Sequence, residues 1–200
     1  MCTAITVSDN IIQKAATEYC GAAAVSCYYV SGVTVTHNNI EDTAYSGISL
    51  GWGWGTYTGK QCKNNEISYN RIENVVNVLM DGAGIYTLGD MPNTVIKGNY
   101  VSKSYSKATN NLNNGYHGGI YCDEGSENIT VEGNVVDNCY NWFFSNVTTQ
   151  LAGKVNLINN FADTNNRLGT NTVESGTVVC SDGWTESALA VISSAGARIK

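Results

Sequence analysis

"Asp81-Gly82-Ala83-Gly84-Ile85-Tyr86-Thr87-Leu88-Gly89" and "Gly118-Gly119-Ile120-Tyr121-Cys122-Asp123-Glu124-Gly125-Ser126" are two versions of one phrase. Each sits near an Asn-bearing phrase of β-formers. "Ile67-Ser68-Tyr69-Asn70-Arg71-Ile72" precedes the first, and "Val95-Ile96-Lys97-Gly98-Asn99-Tyr100-Val101" lies between the two. A chain that repeats both parts in the same order builds one structural unit over and over. The acidic residues that interrupt the repetition are the first place to look for chemistry.

Working outward, the Asn phrase recurs at residues 5–12 ("Ile-Thr-Val-Ser-Asp-Asn-Ile-Ile"), 33–40, 129–136 and 155–161 as well as around Asn70 and Asn99. Its Asn residues are spaced by 28, 32, 29, 35 and 25 positions. That drift is too large for a strict helical array and fits coils of constant core with loops of variable length. Alternation rich in β-branched residues predicts short strands, and a short strand can bury its inward face only by stacking on its own copies. Asn at each bend suits a left-handed backbone, and stacked Asn side chains can form a hydrogen-bonded ladder. The glycine-rich phrase adds a second strand per coil, at "Gly47-Ile48-Ser49-Leu50", Gly84 to Tyr86, Gly119 to Tyr121 and, more loosely, "Trp142-Phe143-Phe144". The expectation is an all-β, right-handed parallel β-helix of about six coils in one domain, coils over 1–182, with a β-sandwich as the alternative.

Composition agrees and excludes other classes. The 200 residues include 21 Gly, 1 Pro and 25 Asn, with 14% charged and 42% hydrophobic residues, which is enough apolar surface for a packed core and too little charge for disorder. A net charge of −6 argues against nucleic acid as a partner. No apolar run spans a bilayer, and no signal-peptide pattern opens the chain. The odd count of seven Cys leaves at least one thiol unpaired within a monomer, and no Cys-x-x-Cys pair supports a metal site. Buried, small, apolar Cys is the simplest use of them.

The ends differ. Residues 185–196 read as a short helix with Thr185 at the start and Gly196 at the end, placed as a cap on the last coils. The N-terminus begins in mid-repeat, so the expectation is either a piece of a longer chain or a first coil edge covered by a partner, such as a homo-oligomer formed through that uncapped coil.

The longest departures from the repeat are "Gly51-Trp52-Gly53-Trp54-Gly55-Thr56-Tyr57" and Ser102 to His117. Trp52, Trp54, Tyr86 and His117 are candidates to line a groove and stack on sugars; closing a coil end is the plainer role for the tryptophans. Asp81, Asp123 and Glu124 are the candidate catalytic acids, each also at home in a turn. Glycoside hydrolysis needs two carboxyls about 5–5.5 Å apart for retention and about 6.5–9.5 Å for inversion. In register, however, Asp81 and Asp123 lie seven residues apart along the coil, more than about 20 Å on a straight strand. The pair requires a bend near Gly82 to Gly84, or unequal registers.

The run "Tyr45-Ser46-Gly47-Ile48-Ser49-Leu50-Gly51-Trp52-Gly53-Trp54-Gly55", with the two glycine-rich phrases, resembles bacterial parallel β-helix glycoside hydrolases, most nearly glycoside hydrolase family 141 of the α-fucosidase and xylanase type. The resemblance runs from about Ala16 to Ala195. It implies that Asp81 and Asp123 are the catalytic pair and that the protein is secreted or periplasmic; the expectation for metals and other cofactors is none. It implies longer relatives with additional N-terminal coils. Cys122, where an aliphatic residue is usual, and the acid in "Asp90-Met91-Pro92" depart from it.

Three functions follow as expectations: hydrolysis of a plant or microbial polysaccharide, a non-catalytic carbohydrate-binding or assembly-forming fragment, and a Ca²⁺-dependent polysaccharide lyase. The last shares only the fold and ranks lowest, because Lys and Arg are scarce near the candidate acids.

Overall fold

A computed structural model describes residues 2–52, 62–105, 117–146 and 152–199. The chain is a parallel β-helix. Three parallel sheets run its length, and after the first coil each steps through every third strand of the chain. The first holds Thr6–Ser8, Thr34–Thr36, Glu66–Ser68, Asp90–Lys97, Glu127–Glu132, Val155–Ile158 and Thr172–Ser175. The second holds Ile11–Gln13, Asn39–Glu41, Arg71–Val75, Tyr100–Ser104, Val135–Asp137, Phe161–Ala162 and Val178–Val179. The third holds Val25–Cys27, Ile48–Gly51, Gly82–Leu88, His117–Cys122, Phe143–Ser145 and Arg167–Leu168. A two-stranded sheet, Cys2–Thr3 with Val30–Ser31, completes the set. This makes six full coils and the first two strands of a seventh. Each coil has three strands where the sequence suggested two, because the Asn phrase is folded in half: Thr34–Thr36 lies in one sheet and Asn39–Glu41 in the next.

The fold in that phrase is held by the asparagines. Side-chain amides of Asn10, Asn38, Asn70, Asn99 and Asn134 each donate to Oδ1 of the next Asn, ending at Asn160, over 2.8–3.0 Å. The same Oδ1 atoms accept the backbone N–H of the preceding Asn at 2.9–3.1 Å. The amides of Asn38, Asn70, Asn99, Asn134 and Asn160 also donate to a carbonyl one coil back, for example Asn99 to Ile67 at 3.0 Å. The last rung is Asn160, not Asn159, so the final spacing is 26 residues. The left-handed residue is likewise not the ladder Asn but the one before it: Asp9, His37, Tyr69, Gly98, Gly133 and Asn159 have φ between +50° and +61°. Forcing His37 and Tyr69 into that region costs energy. Their rings stack at 5.1 Å, and the Tyr69 ring occupies the space a Cβ on Gly98 would need, at 2.6 Å.

Inward positions stack in like-with-like columns. Val7, Val35, Ile67, Ile96, Val131 and Leu157 line the first sheet, and Ile12, Ile40, Ile72, Val101, Val136 and Ala162 the second. Val25, Ile48, Ile85, Ile120 and Phe143 line the third. At the C-terminal end the columns change character: Leu157 is followed by Glu174 and Phe143 by Arg167, which pair at 3.2 Å across the end of the core. Five of the seven thiols, Cys27, Cys62, Cys122, Cys139 and Cys180, are buried, and all seven are free. Burial pushes Cys122 and Cys139 up to about 12, so they pack as protonated, apolar groups.

The helix Glu186–Ser194 is where the sequence places it, with Thr185 accepting from Ala188 N at 3.2 Å, but it is not an end cap. It lies along the flank of the second sheet, where Ala188, Val191 and Ile192 cover the outward residues Tyr100, Val135 and Phe161. The tail continues as a strap toward the first coils: Gly196 N reaches Tyr69 O at 2.8 Å, Ala197 N reaches Asn39 Oδ1 at 2.9 Å, and Arg198 forks onto Asp9 at 2.7 and 2.9 Å. Among the described residues no helix is long and apolar enough to cross a membrane.

Asn99→Ala removes an acceptor for two donors of Asn70 and a donor to Ile67 and Asn134, all inside the stack. At about 1–3 kcal/mol for each buried group left unpaired, the loss should be about 3 kcal/mol or more by urea unfolding. Asn10→Ala, at the exposed end of the ladder, should cost less than about 1 kcal/mol. Equal losses at the two positions would show that the ladder is not cooperative.

Candidate active site

The outward face of the third sheet carries the candidate site, and its shape begins with a glycine column. Gly47, Gly84 and Gly119 precede the stacked Ile48, Ile85 and Ile120. A Cβ on Gly84 would stand 2.3 Å from Val101 Cγ1, and one on Gly119 the same distance from Val136 Cγ1. Both glycines therefore face inward, as do Ile85 and Ile120 immediately after them, whereas Ala83, Tyr86 and Tyr121 belong to a cluster outside that core. Two consecutive inward positions break the alternation of the strand, and the register of the pair skips Gly84 and Gly119. The chain bends where the glycines permit two backbones and a valine to meet.

That bend brings together what a straight strand would hold apart. Tyr121, stacked at 4.4 Å on Phe144 and edge-on at 5.1 Å to Tyr86, points its hydroxyl between the two aspartates. It lies 2.9 Å from Asp123 Oδ1 and 3.2 Å from Asp81 Oδ1, so those two oxygens are at most 6.1 Å apart. Asp123, on the same face two residues after Tyr121, is buried and also accepts hydrogen bonds from the Tyr86 hydroxyl and from Asn146 Nδ2, the latter at 2.8 Å. Asp81 sits at the rim, in the left-handed region at φ +59°, with its carbonyl accepting from the Tyr45 hydroxyl. The Tyr45 ring in turn lies where a Cβ on Gly82 would stand.

The electrostatics separate the two acids. Partial burial, and then the negative charge of Asp123, push the Asp81 carboxyl above the ordinary aspartate value. Asp81 is an exposed residue overall, so this is the push on a rim carboxyl turned against its neighbour, not on an interior one. A hydrogen bond donated by Tyr121 would pull Asp81 back down. A phenol has one proton, however, and the shorter contact is to Asp123. Tyr121 therefore gives its proton mainly to Asp123 and only weakly to Asp81, which leaves the upward push on Asp81 little opposed. Burial and the charge of Asp123 hold Tyr86 and Tyr121 far above the ordinary phenol range, so both stay donors. Burial first, and the charge of Asp81 second, push Tyr45 up to about 12.

Of the other sequence candidates, Glu124 is half-buried, its carbonyl accepts from Gly89 N, and its carboxyl makes none of the bonds that link Asp81 to Asp123. Tyr86 is committed to Asp123 through its hydroxyl. His117 pairs in register with Gly82, beside Asp81, and its ring is 4.8 Å from that of Tyr140. Trp52 is exposed, with its ring 5.0 Å from Tyr28. Trp54 lies outside the described residues. Tyr45, Tyr121 and Asn146 were not singled out from the sequence. Tyr121 was signalled by its equivalence to Tyr86 in the repeated phrase, and Asn146 by following Ser145, the register partner of Cys122. Among the described residues, no group of three His, Cys, Asp or Glu is placed to hold a metal ion.

A solved structure with this architecture is a glycoside hydrolase. It superposes on this chain with a TM-score of 0.67 at 26% sequence identity, and the match covers 98% of this chain. The chain spans 28% of the length of that protein. No protein-family model matches the sequence, and no curated protein matches it.

Gly84→Ala should test the bend. The added methyl meets Val101 Cγ1 at 2.3 Å and Gly119 O at 2.9 Å, and overpacking of this kind costs about 1–3 kcal/mol. Gly21→Ala, with nothing within 4 Å of its Cβ, should be neutral or stabilising in the same thermal melts. A Gly84→Ala chain as stable as the parent would mean that the bend does not depend on glycine.

Proposed function

We propose that this chain carries the carboxyl pair of a glycoside hydrolase, with Asp81 as general acid and Asp123 as nucleophile. The observation that supports it most is the single Tyr121 hydroxyl shared by the two aspartates. The acid must hold a proton and the nucleophile must not. The upward push on Asp81 favours that division, and three donors, Tyr86, Tyr121 and Asn146, hold Asp123 in place. The glycoside hydrolase with the same architecture supports the reaction class.

A separation of at most 6.1 Å between the facing oxygens falls short of the about 6.5–9.5 Å of inverting enzymes, which favours retention. In the first step Asp123 bonds to the anomeric carbon while Asp81 gives its proton to the departing glycosidic oxygen. In the second, water attacks the same carbon, its proton returns to Asp81, and Asp123 is released. Tyr86 and Asn146 position Asp123, and Tyr121 couples the two acids. The substrate is a plant or microbial polysaccharide; the motif resemblance to glycoside hydrolase family 141 points to fucosyl or xylosyl linkages. Proton abstraction beside a uronate, as a lyase requires, is disfavoured because the groups that bond to the two acids are tyrosines and an asparagine rather than Lys or Arg.

Chromogenic α-fucosides and β-xylosides test the reading. Asp81→Asn and Asp123→Asn should each lower kcat by at least about 100-fold. In the parent, activity should fall as pH rises through the raised value of Asp81. In Asp123→Asn the Asp81 carboxyl, followed by NMR, should titrate lower than in the parent, because a charge that raises it is gone. Glycan binding without turnover, equal in parent and variants, would replace the enzyme by a carbohydrate-binding module.

A second expectation concerns stability. A carboxyl raised in the folded state favours folding less as pH climbs above its unfolded value, 3.8. Asp81→Asn should therefore melt higher than the parent at neutral pH and lose that advantage below about pH 3.8.

A further inference from the structure

The positions at and just past the ends of the third-sheet strands form a column: Tyr28, Gly51, Leu88, Asp123 and Asn146. Registers Cys27 to Leu50, Thr87, Cys122 and Ser145 place them one above another. Asp123 and Asn146 belong to the carboxyl site. At the other end Tyr28 and Trp52 are 41% and 37% exposed, with ring centroids 5.0 Å apart and planes inclined at 58°. Only glycine fits beside them: the φ of Gly51 is +86°, and a Cβ there would stand 2.4 Å from Leu88 O and 2.9 Å from Sδ of the buried Met91. Two large, partly exposed aromatic rings thus stand next to a residue that can carry no side chain. At about 4.8 Å per coil, Gly51 lies roughly 10 Å and Tyr28 roughly 14 Å from the level of Asp123 along the solenoid axis.

We propose that Tyr28 and Trp52 form a sugar-binding subsite remote from the carboxyl pair, on which the non-reacting part of a neutral polysaccharide lies along the solenoid axis. This rests on the hydrolase reading above. A single ring cannot reach from Asp123 to Trp52, so the subsite selects polymers over monosaccharide glycosides. Inclined aromatic faces present π surfaces to the C–H faces of consecutive sugars, which turn relative to each other along a chain. Neutrality of the ligand follows from charge. The described cationic side chains that form ion pairs, Arg71, Lys97, Arg167 and Arg198, do so with Glu73, Glu66, Glu174 and Asp9, none of them in this column. The chain as a whole carries −6, which repels a polyuronate.

The test uses the full chain with Asp123→Asn to stop turnover, and soluble xylan, xyloglucan and arabinogalactan as probes, with polygalacturonate as the charged comparison. Affinity electrophoresis should show retardation by at least one neutral polysaccharide. Tyr28→Ala and Trp52→Ala should weaken it about tenfold, the scale of one lost aromatic contact, and Tyr28→Phe should preserve it. In the Asp123-intact chain, Tyr28→Ala should lower the ratio of polysaccharide to aryl-monoglycoside hydrolysis by a similar factor. Retardation unchanged by Tyr28→Ala, retardation by polygalacturonate alone, or none by any probe would overturn the subsite. Aryl-glycoside hydrolysis that still needs Asp123 in those cases leaves the hydrolase reading standing. Tyr28-dependent binding with no hydrolysis would sink the hydrolase reading instead and leave the aromatic site.

Discussion

One hydrogen-bond pattern sets the register of the whole solenoid. Each ladder amide fills an acceptor on the coil above and a carbonyl on the coil below, and each Oδ1 takes two donors. An Asn side chain has two donors and two acceptor lone pairs, so these contacts saturate it. A coil that slipped by one residue would leave buried polar groups without partners on both neighbours and would turn its apolar column outward. The ladder therefore tolerates loops whose length varies while it forbids any variation in phase. It also supports the left-handed conformations of His37 and Tyr69, which neither residue type prefers.

Fixed register is what makes a two-coil active site attainable. Asp81 ends the loop before one strand and Asp123 follows the next, so a slip of one residue between those coils would move one acid relative to the other by about 3.3 Å along the strand. The stacked Ile48, Ile85, Ile120 and Phe143 hold the strands from within, and the glycine column converts the straight run into a bend. The outward stack of Tyr86, Tyr121 and Phe144 then acts as a ruler, since the reach of a tyrosine sets how far its hydroxyl lies from the backbone.

The fold was legible because repetition is a strong signal: the Asn phrase and the inward aliphatic residues recur with a period the eye can find. The position of the corner was not. An Asn at a bend suggested a left-handed Asn, whereas the ladder needs that side chain pointing into the stack and hands the left-handed turn to Asp9, His37 or Tyr69. The helix was legible from Thr185 and Gly196, but its docking was not, because nothing in a helical pattern says which face of a solenoid will receive it. The end of the core is covered instead by Arg167 and Glu174, two residues that sit in aliphatic columns and read locally as ordinary polar strand positions. At the site, Asp81 and Asp123 stood out as acids beside a repeated phrase. Their mutual approach did not, since it depends on a bend and a third side chain rather than on spacing.

The site and the ladder also stand in energetic opposition, and their separation resolves it. Two carboxyls within reach of one phenol, beside two more half-buried phenols, repel one another and resist desolvation. Such a cluster weakens the coils that carry it, Gly82–Leu88 and His117–Cys122. Those strands belong to the third sheet, whereas the ladder runs along the corner between the first and second, where every coil is tied to both neighbours regardless of what the outward face of the third sheet holds. The strap from Gly196 to Arg198 adds ties on that side too, at Tyr69, Asn39 and Asp9. Stability in a stacked-coil protein is a sum over neighbouring coils. A strained face can therefore be tolerated wherever the same two coils are joined more strongly at another corner.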